Sequence, residues 1–134
     1  MSNSFVINSL IVTSSPLIKR NFVIPFSITM KSICVQELNE LKSSSTSFQL
    51  IDVRGLDESL ICSLGGILIP MNEIPTRISE IPKDIQVIVY CRAGMRSASV
   101  IQYLEHASSF DNLYNLEGGI LDWIREIDPS MTAY

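Results

Sequence analysis

Apolar and polar positions along this chain follow two periods that alternate. Val87-Ile88-Val89-Tyr90 is a continuous apolar run rich in β-branched residues, which predicts a buried strand over 86–90. Ser97, Val100, Ile101 and Leu104 then recur at helical spacing and predict a helix over 95–106. The alternation continues on both sides of this pair. Ser32-Ile33-Cys34 reads as a short strand, and Val35, Leu38 and Leu41 mark a short helix. After the polar loop Ser43-Ser44-Ser45-Thr46-Ser47, the run Phe48-Gln49-Leu50-Ile51-Asp52-Val53 reads as a strand ending at Arg54. Ile67-Leu68-Ile69 is a further short strand, closed by Pro70. Ile74, Ile78 and Ile81 predict a helix over roughly 71–80, with Pro75 early in it and Pro82 after it. Leu113-Tyr114-Asn115-Leu116 is another strand. Gly118-Gly119 opens a last helix with Ile120, Trp123, Ile124 and Ile127 as its stripe, and Pro129 ends it. Strands alternating with short helices imply an α/β fold, with a mostly parallel central sheet of about five strands covered by helices on both faces. Ligands of such sheets bind at the carboxyl ends of the strands.

Residues 1–29 break this regularity. Phe5-Val6-Ile7, Leu10-Ile11-Val12 and Phe22-Val23-Ile24 are apolar, and Pro16 and Pro25 interrupt them. No run approaches the ~18 residues of a membrane helix. No charged segment precedes the first apolar run, as a secretory signal would require. Three readings stay open: an extension upstream of a start at Met30, a targeting segment low in arginine, or an added strand or hairpin. The domain itself is taken as 30–134.

A length of 134 residues with 46% hydrophobic content is enough for one domain with a proper core. The net charge is −4, unevenly spread. Residues 1–36 hold Lys19, Arg20 and Lys31 and no acid; the remainder has fourteen acids against seven bases, a net of −7. An acidic chain without a basic cluster argues against nucleic acid as partner. Any basic site must be local. Three cysteines, no Cys-x-x-Cys pair and one histidine do not make a zinc site, and they fit a reduced, cytoplasmic setting. Cys34 and Cys62 neighbour apolar residues and read as small buried hydrophobes, with Cys62 as a resolving thiol the alternative. His106, near the end of its helix, reads as a dipole partner.

The chemistry concentrates where the buried strand ends at Cys91. A compact loop before a helix points several backbone N–H groups at one spot, and the helix dipole adds positive potential. Such a place lowers a thiol pKa and holds an anion. Gly94 permits the tight turn, and Arg92 and Arg96 add positive charge. The plain alternative is a buried structural cysteine, which needs neither a flanking arginine pair nor a nearby glycine. A second strand ends at Asp52-Val53-Arg54. A carboxylate closing an apolar strand must be hydrogen-bonded, and the loop N–H groups offer partners, so Asp52 reads as a brace of the loop. Arg54 either supports the site or pairs with Glu58 at a solvated loop start.

Cys91-Arg92-Ala93-Gly94-Met95-Arg96-Ser97, set between strand and helix, resembles the active-site loop of rhodanese-type sulfurtransferases, whose pattern is Cys-Arg-x-Gly-x-Arg-Ser. The resemblance covers about 32–128. Leu50-Ile51-Asp52-Val53-Arg54 with Glu58 matches the family's Asp-Val-Arg strand and following acid. Tyr114-Asn115-Leu116-Glu117-Gly118-Gly119 with Trp123 matches its closing motif. Cys62-Ser63-Leu64-Gly65-Gly66 departs from the usual Gly-His-Ile-Pro-Gly-Ala, and Gly55-Leu56 replaces a usual Glu-Pro. The ending through Asp128-Pro129 to Tyr134 is similar to the rhodanese module closing some ubiquitin-activating-like enzymes that supply sulfur to carrier proteins.

The resemblance implies a Cys91 persulfide that carries sulfane sulfur from thiosulfate or a persulfide to a nucleophilic acceptor. Arg96, with Arg92, would hold a small anionic donor, and the N–H groups from Arg92 through Ala93, Gly94, Met95 and Arg96 to Ser97 would stabilise the sulfur. A protein donor or acceptor is implied, with no metal or organic cofactor. The alternatives are a non-catalytic partner-binding module, a cysteine redox sensor and a Cys-x5-Arg phosphatase. The arginine here is one residue short of the phosphatase pattern.

Overall fold

The computed structural model describes residues 30–134, so the readings of 1–29 lie outside the described residues. Along the chain the elements are β1 (Ser32–Ile33), α1 (Val35–Ser43), β2 (Phe48–Asp52), α2 (Leu56–Ile61) and β3 (Ile67–Leu68). Two 3-10 turns, Met71–Thr76 and Ile78–Glu80, lead to β4 (Gln86–Tyr90), α3 (Met95–Ser108), β5 (Leu113–Leu116) and α4 (Gly119–Glu126). Among the described residues the sheet has five strands, in the order β1-β5-β4-β2-β3. Every pairing is parallel, so the expected α/β architecture is present with no antiparallel strand among the described residues. β4 sits in the middle, its Gln86 opposite Phe48 and its Tyr90 opposite Asp52. The carboxyl ends of β2 and β4 are therefore neighbours, which places Asp52 and Cys91 at the same edge of the sheet.

Alternate residues of β4 serve opposite faces. Ile88 and Tyr90 join Leu50, Leu116, Val35, Leu38, Ile120, Trp123 and Ile124 in one cluster under α1 and α4. Val87 and Val89 point the other way, toward the face on which α3 packs with buried Val100, Ile101 and Leu104. Burial on both faces is why this strand reads as an unbroken apolar run. No helix among the described residues is long and apolar enough to cross a membrane.

Three elements differ from the sequence reading. The helix expected over 71–80 is two short 3-10 turns. Pro75 has no N–H to give an α-helix and disfavours helical backbone at Ile74. The isoleucine spacing is real but serves as anchorage, with Ile74 and Ile81 buried. The second difference is small: α3 continues past 106 to Ser108 and stops at Ser109, whose φ is 55°. The third is α2, which the hydrophobic pattern does not predict. It buries none of its residues, and Leu56, Leu60 and Ile61 are exposed at 60%, 78% and 46%. Its first turn carries Asp57 and Glu58, which suit a helix N-terminus.

Candidate active site

Cys91 follows directly on β4 and is 1% exposed. The chain then turns through Gly94, whose φ of 104° is open to glycine and strained for other residues, and α3 begins at Met95. Within this loop the Cys91 Sγ accepts the N–H of Gly94 at 3.1 Å and of Ser97 at 3.4 Å. The Ser97 Oγ lies 3.4 Å away, and the Ala93 N–H also points at the sulfur. Burial alone pushes the thiol up. The Ser97 hydroxyl and the N–H groups of Ser97, Gly94 and Ala93 outweigh it, and the thiol sits below its ordinary value.

The N–H groups face the sulfur because the opposite ends of the peptide units are held elsewhere. The first turn of α4 donates its N–H groups to the loop: Ile120 to the Cys91 carbonyl at 3.0 Å and Leu121 to the Arg92 carbonyl at 3.1 Å. In a trans peptide C=O and N–H point in opposite directions. An Arg92 carbonyl fixed on α4 thus turns the Ala93 N–H inward. The approach is close: a Cβ on Gly119, whose φ is 60°, would lie 2.5 Å from the Arg92 oxygen and 2.6 Å from the Cys91 oxygen. Gly119→Ala should therefore push the loop off α4 and cut turnover, roughly 100-fold, for a displacement on the order of 1 Å. Thiosulfate:cyanide kinetics beside a circular dichroism spectrum check this. A fully active variant would show that α4 does not hold the loop.

Asn115 in β5 completes the loop, and sequence reasoning gave it no separate role. Its Nδ2 donates to the Gly94 carbonyl at 3.2 Å, and its Oδ1 accepts the Ser97 hydroxyl at 2.5 Å. The available signal was an amide inside a strand, where such residues are depleted.

The charged residues are arranged differently from the sequence expectation. Arg96 directs Nη1 and Nη2 to the two carboxylate oxygens of Glu58, at 2.8 and 2.9 Å. Its fork, expected to meet a donor, is filled from within the chain. The Arg96 guanidinium holds Glu58 down to about 2 against the opposing effect of burial, with the Tyr134 hydroxyl assisting. Arg92 turns Nε and Nη2 to the main-chain oxygen of Tyr134, with its guanidinium 5.1 Å from the Tyr134 ring centre. Met95 heads α3 with its side chain 78% exposed.

Arg54 is fully buried and does not pair with the Glu58 carboxylate. It meets Asp52 through Nε at 2.9 Å and Nη2 at 2.8 Å, and also donates to the Cys62 carbonyl and the Tyr134 hydroxyl. That hydroxyl in turn donates to Glu58 at 2.7 Å. The Asp52 partners are Arg54 atoms, including its main-chain N–H, rather than the N–H groups of the cysteine loop. Asp52 therefore braces the end of β2 and is linked to the cysteine loop through Arg54 and Tyr134, onward to Arg92 and, by way of Glu58, to Arg96.

A family model described as rhodanese-like domain matches residues 35–126, which span all of this machinery up to α4. The chain belongs to the rhodanese-like domain family. A protein of Allochromatium vinosum named sulfurtransferase is 38% identical over 97 residues, covering 66% of this chain and 90% of its own. The putative sulfurtransferase YtwF of Bacillus subtilis is 33% identical, covering 75% of this chain and 96% of its own. The probable adenylyltransferase/sulfurtransferase MoeZ of Mycobacterium tuberculosis is 32% identical, and the match spans only 27% of that protein. Among solved structures, a rhodanese-like domain protein from Staphylococcus aureus superposes with a TM-score of 0.66 at 32% identity, covering 78% of this chain and 99% of the other.

This rhodanese-like domain departs from the family resemblance at Cys62–Gly66, and the structure shows what holds that segment. The buried Tyr90 hydroxyl accepts the Leu64 N–H at 3.1 Å and donates to the Gly65 carbonyl at 3.0 Å, with the Ser63 Oγ at 3.3 Å. Burial pushes this phenol up to about 12, so it stays protonated as a donor. The residue preceding the cysteine thus orders the loop in which Ser63 stands for the usual histidine.

Proposed function

We propose that this protein is a sulfurtransferase that carries sulfane sulfur on Cys91. The observation that supports it most is the buried Cys91 sulfur facing the N–H groups of Ala93, Gly94 and Ser97 and the Ser97 hydroxyl. The names of its relatives support the same class. The Cys91 thiolate attacks the outer sulfur of a donor, thiosulfate or a persulfide. The donor's S–S bond breaks, and its electron pair leaves with sulfite or a thiolate. The new persulfide rests in the same loop, whose dipoles face the sulfur without reorganising. A nucleophile then takes the outer sulfur and returns the Cys91 thiolate. Cyanide serves in an assay; a protein thiol in a reducing compartment such as the cytoplasm fits the cell.

Intact mass after incubation with either donor tests the reading. A gain of one sulfur atom on Cys91, reversed by cyanide, is the expected result, and no gain from any sulfane donor overturns it. The thiolate itself is open to a separate check. With Cys34 and Cys62 both changed to serine, alkylation of Cys91 by iodoacetamide should inflect clearly below the ~8.5 of a free cysteine. An inflection at or above that value would mean that burial wins over the loop.

A further inference from the structure

The arginines around Cys91 are already engaged. Arg96 is close enough that the cysteine's charge steadies its cation, yet both terminal nitrogens are on the Glu58 carboxylate. Arg54 is matched by buried Asp52, and the fork edge of Arg92 is taken by the Tyr134 main-chain oxygen. Glu58 is itself fixed, because the Tyr134 hydroxyl donates to its Oε1, the oxygen that also accepts Arg96 Nη2. It also stays ionised throughout the working pH range. The helix that presents it, α2, turns Leu56, Leu60 and Ile61 to solvent, and exposed Met95 adjoins Arg96.

Thiosulfate is a dianion, and it leaves as sulfite, also a dianion. Bringing it to a thiolate gathers three negative charges where the Arg96 guanidinium is paired with Glu58. An alkyl persulfide in its R–S–SH form gathers one. We infer that Glu58 is a specificity-determining residue that, by holding Arg96, favours alkyl persulfides over thiosulfate as the sulfur donor. This rests on the sulfur-transfer reading above. The step balances without any further reactant: the Cys91 thiolate attacks the outer sulfur of R–S–SH, the S–S bond breaks, and R–S⁻ leaves with the electron pair. The proton stays on the transferred sulfur.

The test is single-turnover loading of Cys91, followed by intact mass. The donors are thiosulfate, 2-hydroxyethyl persulfide and a persulfidated cysteine peptide, each rate divided by that donor's rate with free cysteine thiolate. In the wild-type protein the normalised persulfide rate should exceed that of thiosulfate by about tenfold or more, the scale of one screened charge interaction near a surface. Glu58→Gln keeps the shape and removes the charge, and it should shift the thiosulfate-to-persulfide ratio toward thiosulfate by a similar factor. Faster loading from the peptide than from the small persulfide points to a protein source, and the reverse to a small-molecule source; both support the inference. Equal normalised rates in the wild type, or an unchanged ratio in a folded E58Q protein, overturn it while leaving sulfur transfer by Cys91 in place. Loading from none of the donors removes the underlying reading instead. The wild-type ratio decides the matter if E58Q does not fold.

Discussion

Cys91→Ser should remove sulfur loading and thiosulfate:cyanide turnover, by a factor on the order of 1,000 or more, with the fold unchanged. The hydroxyl is nearly isosteric with the thiol and can accept the same N–H groups of Gly94 and Ser97. What it lacks is a low enough pKa to be an anion at neutral pH, and with it the nucleophile. N–H groups and a hydroxyl converge on the atom at this position, an arrangement that suits an anion. Retained circular dichroism with lost turnover is the expected pair of results. Turnover near that of wild type would end the assignment of Cys91. Cys34→Ser and Cys62→Ser are the controls, since both residues are only partly buried and lie outside the loop.

The second large effect is on stability. Arg54→Met should destabilise the domain by about 3–5 kcal/mol, the cost of leaving one member of a buried ion pair without its partner. Arg54 and Asp52 are 0% and 2% exposed, joined by two side-chain hydrogen bonds. Without the guanidinium, the Asp52 carboxylate keeps only the main-chain N–H of residue 54. The Cys62 carbonyl and the Tyr134 hydroxyl lose a donor as well. A loss of that size is a large share of the ~5–15 kcal/mol that holds a domain of this kind. Urea denaturation measures it. The double variant Asp52→Asn with Arg54→Met should recover part of the loss, because no charge is then stranded. A single variant as stable as the wild type would mean that the pair is solvated.

What was legible in the sequence is what neighbours along the chain decide. The run Val87–Tyr90, the cysteine, Gly94 and the stripe Val100, Ile101, Leu104 are contiguous, so strand, loop and helix follow from local pattern. The parallel sheet followed from the alternation of such units. Glu58 and Arg96 are 38 positions apart, and Tyr134 meets Glu58 across 76. Nothing local announces such pairings, so Arg96 read as free for a ligand and Arg54 as either a support of the site or a partner for Glu58. The helix α2 escaped for a different reason. Periodicity detects helices through the face they bury, and this one buries none. Pro75 shows the reverse case: the isoleucine spacing was present, but the ring settled the backbone in 3-10 turns.

The capture of the Cys91 and Arg92 carbonyls by α4 also ties the cysteine loop to residues much further along the chain. On the ribosome the cysteine emerges well before Ile120 and Leu121, whose N–H groups turn the loop. Among the described residues β1 joins the sheet through β5, Ser32 beside Asn115, so its pairing too needs a stretch late in the chain. Both are contacts between distant parts of the chain, formed once the intervening loops have closed. Until then the Cys91 and Arg92 carbonyls lack the N–H partners that orient the loop. The setting of Cys91 is thus a property of the folded domain, drawn from α4, and not of the cysteine loop by itself.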